Sequence, residues 1–207
     1  PKSLAKNQTA QKECYMRYII IFLSLILYGF NLMAYSEQTL VFIRHGEKPN
    51  NDSGQLSCQG LNRALALPNR LITQFGQPDA LFAAAPKQNK LGNSLRSLQT
   101  LTPLAVKTSL PIHLNYHAKE IDPLRNKLLS EEYQNSVIFI AWEHDNLVKV
   151  VRDIMAQFGG DPKAIPKWES GDFDSIYILK IIKEADKKKV LFEQQHQQLN
   201  DVPKQCP

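Results

Sequence analysis

Apolar residues fall along this chain in two alternating patterns. Short runs rich in β-branched and aromatic residues read as buried strands: residues 39–43 (TLVFI), 80–84 (ALFAA), 110–116, 136–141 (SVIFIA) and 173–182. Between them, apolar residues recur at helical spacing. A helix capped by Ser57 would carry Leu61, Ala64, Leu65, Leu67, Leu71 and Ile72 on one face. A second, over 94–107, carries Leu95, Leu98, Leu101, Leu104 and Ala105; a short one covers 121–129; a fourth, over 146–158, carries Leu147, Val150, Val151, Ile154, Met155 and Phe158. Turn-forming clusters separate them at 50–54 (NNDSG), at Gly76 and Pro78, and at Gly159-Gly160. Pro68 and Pro103 fall inside two of the helices; Pro68 is expected to kink or divide the first and Pro103 to bend the second. Residues 85–89 read as a polar loop and 161–171 as a Pro-containing loop. After the last long strand, residues 184–189 form a charged, solvated turn that holds Lys187, Lys188 and Lys189, and 190–196 returns as a hairpin strand. Strands alternating with helices predict a three-layer α/β sandwich with a mostly parallel central sheet and a C-terminal β-hairpin.

The N-terminus departs from this pattern. Met16-Arg17 is a short basic stretch, and residues 18–30 (YIIIFLSLILYGF) form an apolar run too short for a comfortable membrane span. Ala34-Tyr35-Ser36 puts small residues where a processing site before Glu37 needs them. This reads as an upstream segment, before Met16, and an export signal together over residues 1–36, and one domain over 37–207, placing the protein in the periplasm or outside the cell; an uncleaved anchor, the alternative, would be its one tie to a membrane. Cysteine usage fits export. Cys14 precedes the signal, leaving Cys58 and Cys206, which either bridge the tail to the region after the first strand or stay as free thiols. The formal charge is +5, but the first 36 residues carry +3 of it, so the domain is close to +2. That balance argues against a nucleic-acid partner.

Candidate chemistry gathers at strand ends. The first strand stops at Arg44-His45-Gly46-Glu47, the second precedes a loop and the helix carrying Arg96, and the fourth stops at Trp142-Glu143-His144-Asp145. In a parallel sheet these ends share one edge, where α/β proteins hold ligands. Two arginines offer paired donors for oxyanion oxygens, and a neutral imidazole can act as a nucleophile. Gly46 permits a sharp or positive-φ turn after His45. No Cys/His spacing for a metal accompanies the cluster, so the chemistry needs no metal or other cofactor.

These residues resemble the histidine phosphatase superfamily, with its phosphoglycerate mutase-like fold. Arg44-His45-Gly46-Glu47 resembles its signature, Leu56-Ser57 with Gly60-Leu61-Asn62-Arg63-Ala64 its first helix, Arg96 before Gln99-Thr100 its second arginine, and His144 in Trp142-Glu143-His144-Asp145-Asn146 its second histidine. Phe173-Asp174 is similar to a bacterial subgroup, and the resemblance spans most of residues 39–199. It implies that His45 attacks phosphorus to form a phosphohistidine, with Arg44, Arg96 and His144 binding the phosphoryl oxygens. The positive surroundings would depress protonation of His45, and a polar partner would hold its other ring nitrogen. Asp145 is the favoured proton donor, Glu120 the alternative, and a helix-capping role for Asp145 the structural one. Asp174 and Glu47 are expected to be structural; Lys48 either lines the rim or is simply solvated. The implied function is metal-independent hydrolysis of a phosphorylated small molecule or envelope glycan. The alternative is a phosphate-binding module of the same fold without turnover.

Overall fold

The computed structural model describes residue 16 and residues 35–89, 92–184 and 187–207. The apolar run 18–30 and Cys14 lie outside the described residues. Among those described, no helix is long and apolar enough to cross a membrane.

Residues Tyr35–Pro207 form one compact unit. Its sheet has six strands in the order β5-β2-β6-β1-β7-β8. These are β1 (Tyr35–Arg44), β2 (Ala80–Ala83), β5 (Ile112–His113), β6 (Val137–Trp142), β7 (Ser175–Glu184) and β8 (Lys187–His196). β5, β2, β6 and β1 run parallel; β7 is antiparallel to β1 and forms the C-terminal hairpin with β8. Four helices connect them: α1 (Cys58–Phe75), α2 (Arg96–Thr108), α3 (Ile121–Leu128) and α4 (His144–Gln157).

The apolar runs lack polar alternation because both faces of the sheet are covered. Leu40, Phe42, Phe82, Ile138, Ile140 and Trp142 point into one core with α3 and α4. Val41, Ile43, Leu81, Ala83, Phe139 and Ala141 point into the other with α1 and α2. The result is the expected three-layer sandwich.

Several elements differ from the reading above. β1 begins at Tyr35 and its first residues pair with Glu184 and Lys183, so removal of everything before Glu37 would take two residues from this strand. Lys187, Lys188 and Lys189 are not in a turn. They pair with Ile182, Lys183 and Glu184 and start the edge strand, where exposed lysines discourage pairing with another chain. The strand expected over 110–116 shrinks to Ile112–His113, an outer strand that pairs with Leu81 and Phe82 of β2. The polar loop after β2 contains a two-stranded ribbon, β3 (Lys87–Asn89) with β4 (Gly92–Ser94), which has no apolar pattern to reveal it. α1 and α2 continue through Pro68 and Pro103 without dividing.

Candidate active site

β1, β2 and β6 end together. Arg44 is in register with Trp142, and Ala141 with both Ile43 and Ala83. The ladder runs one residue further on each side: His45 N donates to Trp142 O at 3.1 Å and Ala84 N to Ala141 O at 3.2 Å. The backbone of His45 is therefore fixed by the sheet rather than by a loop.

The turn after His45 is clamped from two directions. Gly46 N donates to Thr100 Oγ1 at 2.9 Å, and that hydroxyl donates to Arg96 O at 2.8 Å. One side chain thus ties the turn to the first residue of α2. On the other side, Ser57 N donates to Glu47 O at 2.8 Å, and Ser57 Oγ caps α1 through Gly60 N. Gly46 is not at positive φ, contrary to one expectation. It is required by close approach instead: a Cβ there would lie 3.0 Å from Gly60 O, and one on Gly60 would meet the backbone of Glu47.

His45 is 6% exposed. Its Nδ1 lies 2.8 Å from Gly46 O, so an N–H there donates to the carbonyl and leaves the lone pair on Nε2 free. Burial, foremost, lowers its pKa to about 4; the charges of Arg96, Arg44 and His144 add to this, and the Gly46 carbonyl works against it. Arg44 is buried beside it. Its Nη1 donates to Ser170 O at 2.6 Å and Asp172 O at 3.0 Å, and its guanidinium lies 4.0 Å from the centre of the Phe173 ring. Arg96 reaches Ser94 Oγ at 3.4 Å. His144 is the first residue of α4, and its Nδ1 lies 2.8 Å from Glu143 Oε1 without the alignment of a hydrogen bond. Among the described residues, five buried side-chain polar atoms have no hydrogen-bond partner, and three belong to this cluster: Arg44 Nε, Arg96 Nε and His144 Nδ1. Buried polar groups rarely go unpaired without a reason.

The carboxylates sort by environment. Glu143, not Asp145, caps α4, accepting from the backbone N–H groups of Asp145 and Asn146 and from Asn146 Nδ2. The helix begins two residues before the expected Asn146, and this moves the cap to Glu143. Asp145 is left 74% exposed in its side chain, with Oδ1 3.7 Å from His144 Nε2. Glu120 is committed elsewhere, accepting from His117 N at 2.6 Å. Lys48 is exposed. Glu143, His144 and Asp145 bring one potential metal-ligand atom each within 4.8 Å of one another, though the capping bonds already engage both Glu143 oxygens.

Glu47 and Asp174 are both held in ion pairs, and the residue joining them, Arg63, falls in the sequence within a helix motif that gives it no role. Arg63, 1% exposed, makes a bidentate pair with Glu47 and donates to Asp174, Gln197 and Asn200. A Glu sixteen positions before a helical Arg is the only local hint, and it is a faint one.

No family profile and no curated protein matches the chain. Solved structures do. The protein histidine phosphatase SixA in complex with tungstate superposes with a TM-score of 0.51 at 16% identity, over 77% of this chain and 97% of that one. A mycobacterial glucosyl-3-phosphoglycerate phosphatase with inorganic phosphate gives 0.51 at 16% identity, over 75% and 95%. Phosphoglycerate mutase from Plasmodium falciparum gives 0.51 at 9% identity, over 81% and 95%. The chain has the fold that these three structures share. In this fold Arg44, His45, Arg96 and His144 come from the end of β1 and the starts of α2 and α4, at one edge of the sheet. A separate apolar groove of about 400 Å³, lined by Leu56, Leu61, Leu65, Pro103 and the Cys58–Cys206 pair, contains none of the four.

Proposed function

We propose that the chain is a phosphomonoester hydrolase working through a phosphohistidine on His45. The observation that carries this is the pair of buried guanidinium Nε donors, on Arg44 and Arg96, that have no hydrogen-bond partner, together with an imidazole held neutral whose Nδ1 is engaged by the Gly46 carbonyl. A tetrahedral dianion would satisfy those donors and set phosphorus against Nε2. In the first step the Nε2 lone pair forms a bond to phosphorus, the ester P–O bond breaks, and Asp145 gives its proton to the leaving oxygen. In the second, water attacks phosphorus, Asp145 takes the water proton, and the P–N bond breaks to release inorganic phosphate. The two arginines stabilise charge on the equatorial oxygens throughout. Asp145 suits the proton transfer because it stands free of capping bonds beside His144, whereas Glu143 and Glu120 hold backbone N–H groups.

The substrate we propose is a phosphorylated small molecule or glycan of the cell envelope. The Cys58–Cys206 disulfide supports an oxidising compartment, as the apolar run at 18–30 does from sequence. The test is turnover of a chromogenic phosphomonoester with chelator present. Wild type should release phosphate and trap an acid-labile phosphoprotein on quenching; His45→Ala should do neither. Turnover retained by His45→Ala, or lost in chelator, would sink the proposal.

A further inference from the structure

An arginine that binds an oxyanion must be stopped from swinging away from it. Arg44 is restrained by the loop before β7. Its Nη1 is used up by the carbonyls of Ser170 and Asp172, and its flat face lies over the Phe173 ring. With these contacts made, its Nε remains buried and unpartnered. The same ring lies 6.3 Å from the His45 imidazole, tilted by 49°. Phe173 is half-buried, yet it belongs to neither hydrophobic core. A large apolar side chain is therefore packed on the site instead of on the sheet.

The loop itself is held on both sides. Asp172 Oδ1 accepts from the N–H groups of Asp174 and Ser175 at 2.8 and 3.0 Å, and Asp172 O also accepts from Trp168 Nε1 at 3.0 Å. The residue after Phe173 is Asp174, which is locked to Arg63 and to the backbone of Gln198 and Leu199. Phe173 sits between two anchored residues, as a part that must hold another in place should.

We propose that Phe173 is a positioning residue: its ring, with the Ser170 and Asp172 carbonyls, fixes the Arg44 guanidinium so that the Nε edge faces the phosphoryl group. This rests on the phosphatase reading above. Phe173 touches no reacting atom; it acts through the cation on its face.

The test compares Phe173→Leu, which keeps apolar bulk but removes the ring face, with Phe173→Tyr, which keeps the ring. Tungstate and inorganic phosphate affinity is measured by calorimetry, alongside kcat and KM for p-nitrophenyl phosphate. Phe173→Leu should weaken oxyanion binding by about three- to tenfold and lower kcat/KM in step, whereas Phe173→Tyr should stay within about twofold of wild type. In an Arg44→Met background, which removes the cation from the ring face, Phe173→Leu should weaken oxyanion binding no further, since the ring acts only through the guanidinium. Circular dichroism checks folding, and Phe173→Met takes the place of the Leu variant if that one does not fold. Wild-type affinity in Phe173→Leu, or effects that multiply in the double variant, would overturn the positioning role and leave the phosphatase reading intact. A wild-type protein that neither binds an oxyanion nor turns over the ester overturns both.

Discussion

His45 shows how far burial alone changes a side chain. Its pKa of about 4 lies below the ordinary imidazole value of 6.5, first because the ring is out of water and then because Arg96, Arg44 and His144 each lower it further. In the folded chain it stays neutral down to about pH 4, whereas in the unfolded chain it takes up a proton below about 6.5. Between those values the unfolded state binds more protons, so stability rises with pH there. The contribution is complete above about pH 6.5 and is lost as the pH falls towards 4, on the order of 3 kcal/mol. Denaturation midpoints measured across that window should fall on acidification, and His45→Gln should flatten part of the slope. The acid limb of kcat/KM should lie near pH 4; a limb near 6.5 would show the nucleophile to be an ordinary exposed histidine. Arg44, His45 and His144 could be singled out in the sequence because an apolar run gives way abruptly to each cluster, whereas Arg96, which follows a polar loop, was singled out by the helix it opens and by the resemblance. Arg63 was not, because a single Arg within an amphipathic helix looks the same whether it faces water or a buried carboxylate. Its partners Asp174, Gln197 and Asn200 lie 111, 134 and 137 positions away.

At the scale of elements, the site depends on two helices docking on one turn. α1 comes so close to the turn after β1 that neither Gly46 nor Gly60 has room for a Cβ. In Gly60→Ala the new methyl carbon would lie 2.8 Å from Glu47 N and nearer still to its carbonyl oxygen, both backbone atoms that cannot swing aside. The expected cost is about 2 kcal/mol in urea denaturation, with turnover reduced because the displaced turn carries His45. Wild-type stability in that variant would mean that the helix can retreat without disturbing the turn. Strand and helix identities could be read from periodicity because the long elements have continuous apolar faces. The ends could not. Trp142 extends β6 by one residue and Glu143 moves the start of α4 to His144, a boundary set by which carboxylate reaches the free N–H groups. The β3–β4 ribbon is polar throughout, so no hydrophobic pattern marks it.

The whole molecule is closed by its tail. Leu199 enters the core under α1 and α2, Asn62 Nδ2 donates to Pro203 O and Gln205 O, and Cys58 is joined to Cys206 with their Cα atoms 4.5 Å apart. The two cysteines could be named as a possible pair from sequence, but nothing local decides whether residues 148 positions apart meet; only the assembled sheet does. In the chain-entropy account, tying a loop of that length restricts the unfolded chain by about 5 kcal/mol. Reduction, or replacement of both cysteines by serine, should lower the denaturation midpoint accordingly, measured in urea with and without thiol. An unchanged midpoint would show that the remaining tail contacts suffice. The bond has a practical corollary for anyone handling the protein. A protease that cuts once anywhere between the two cysteines separates no fragment, so a nicked preparation migrates as one species in a denaturing gel until dithiothreitol is added.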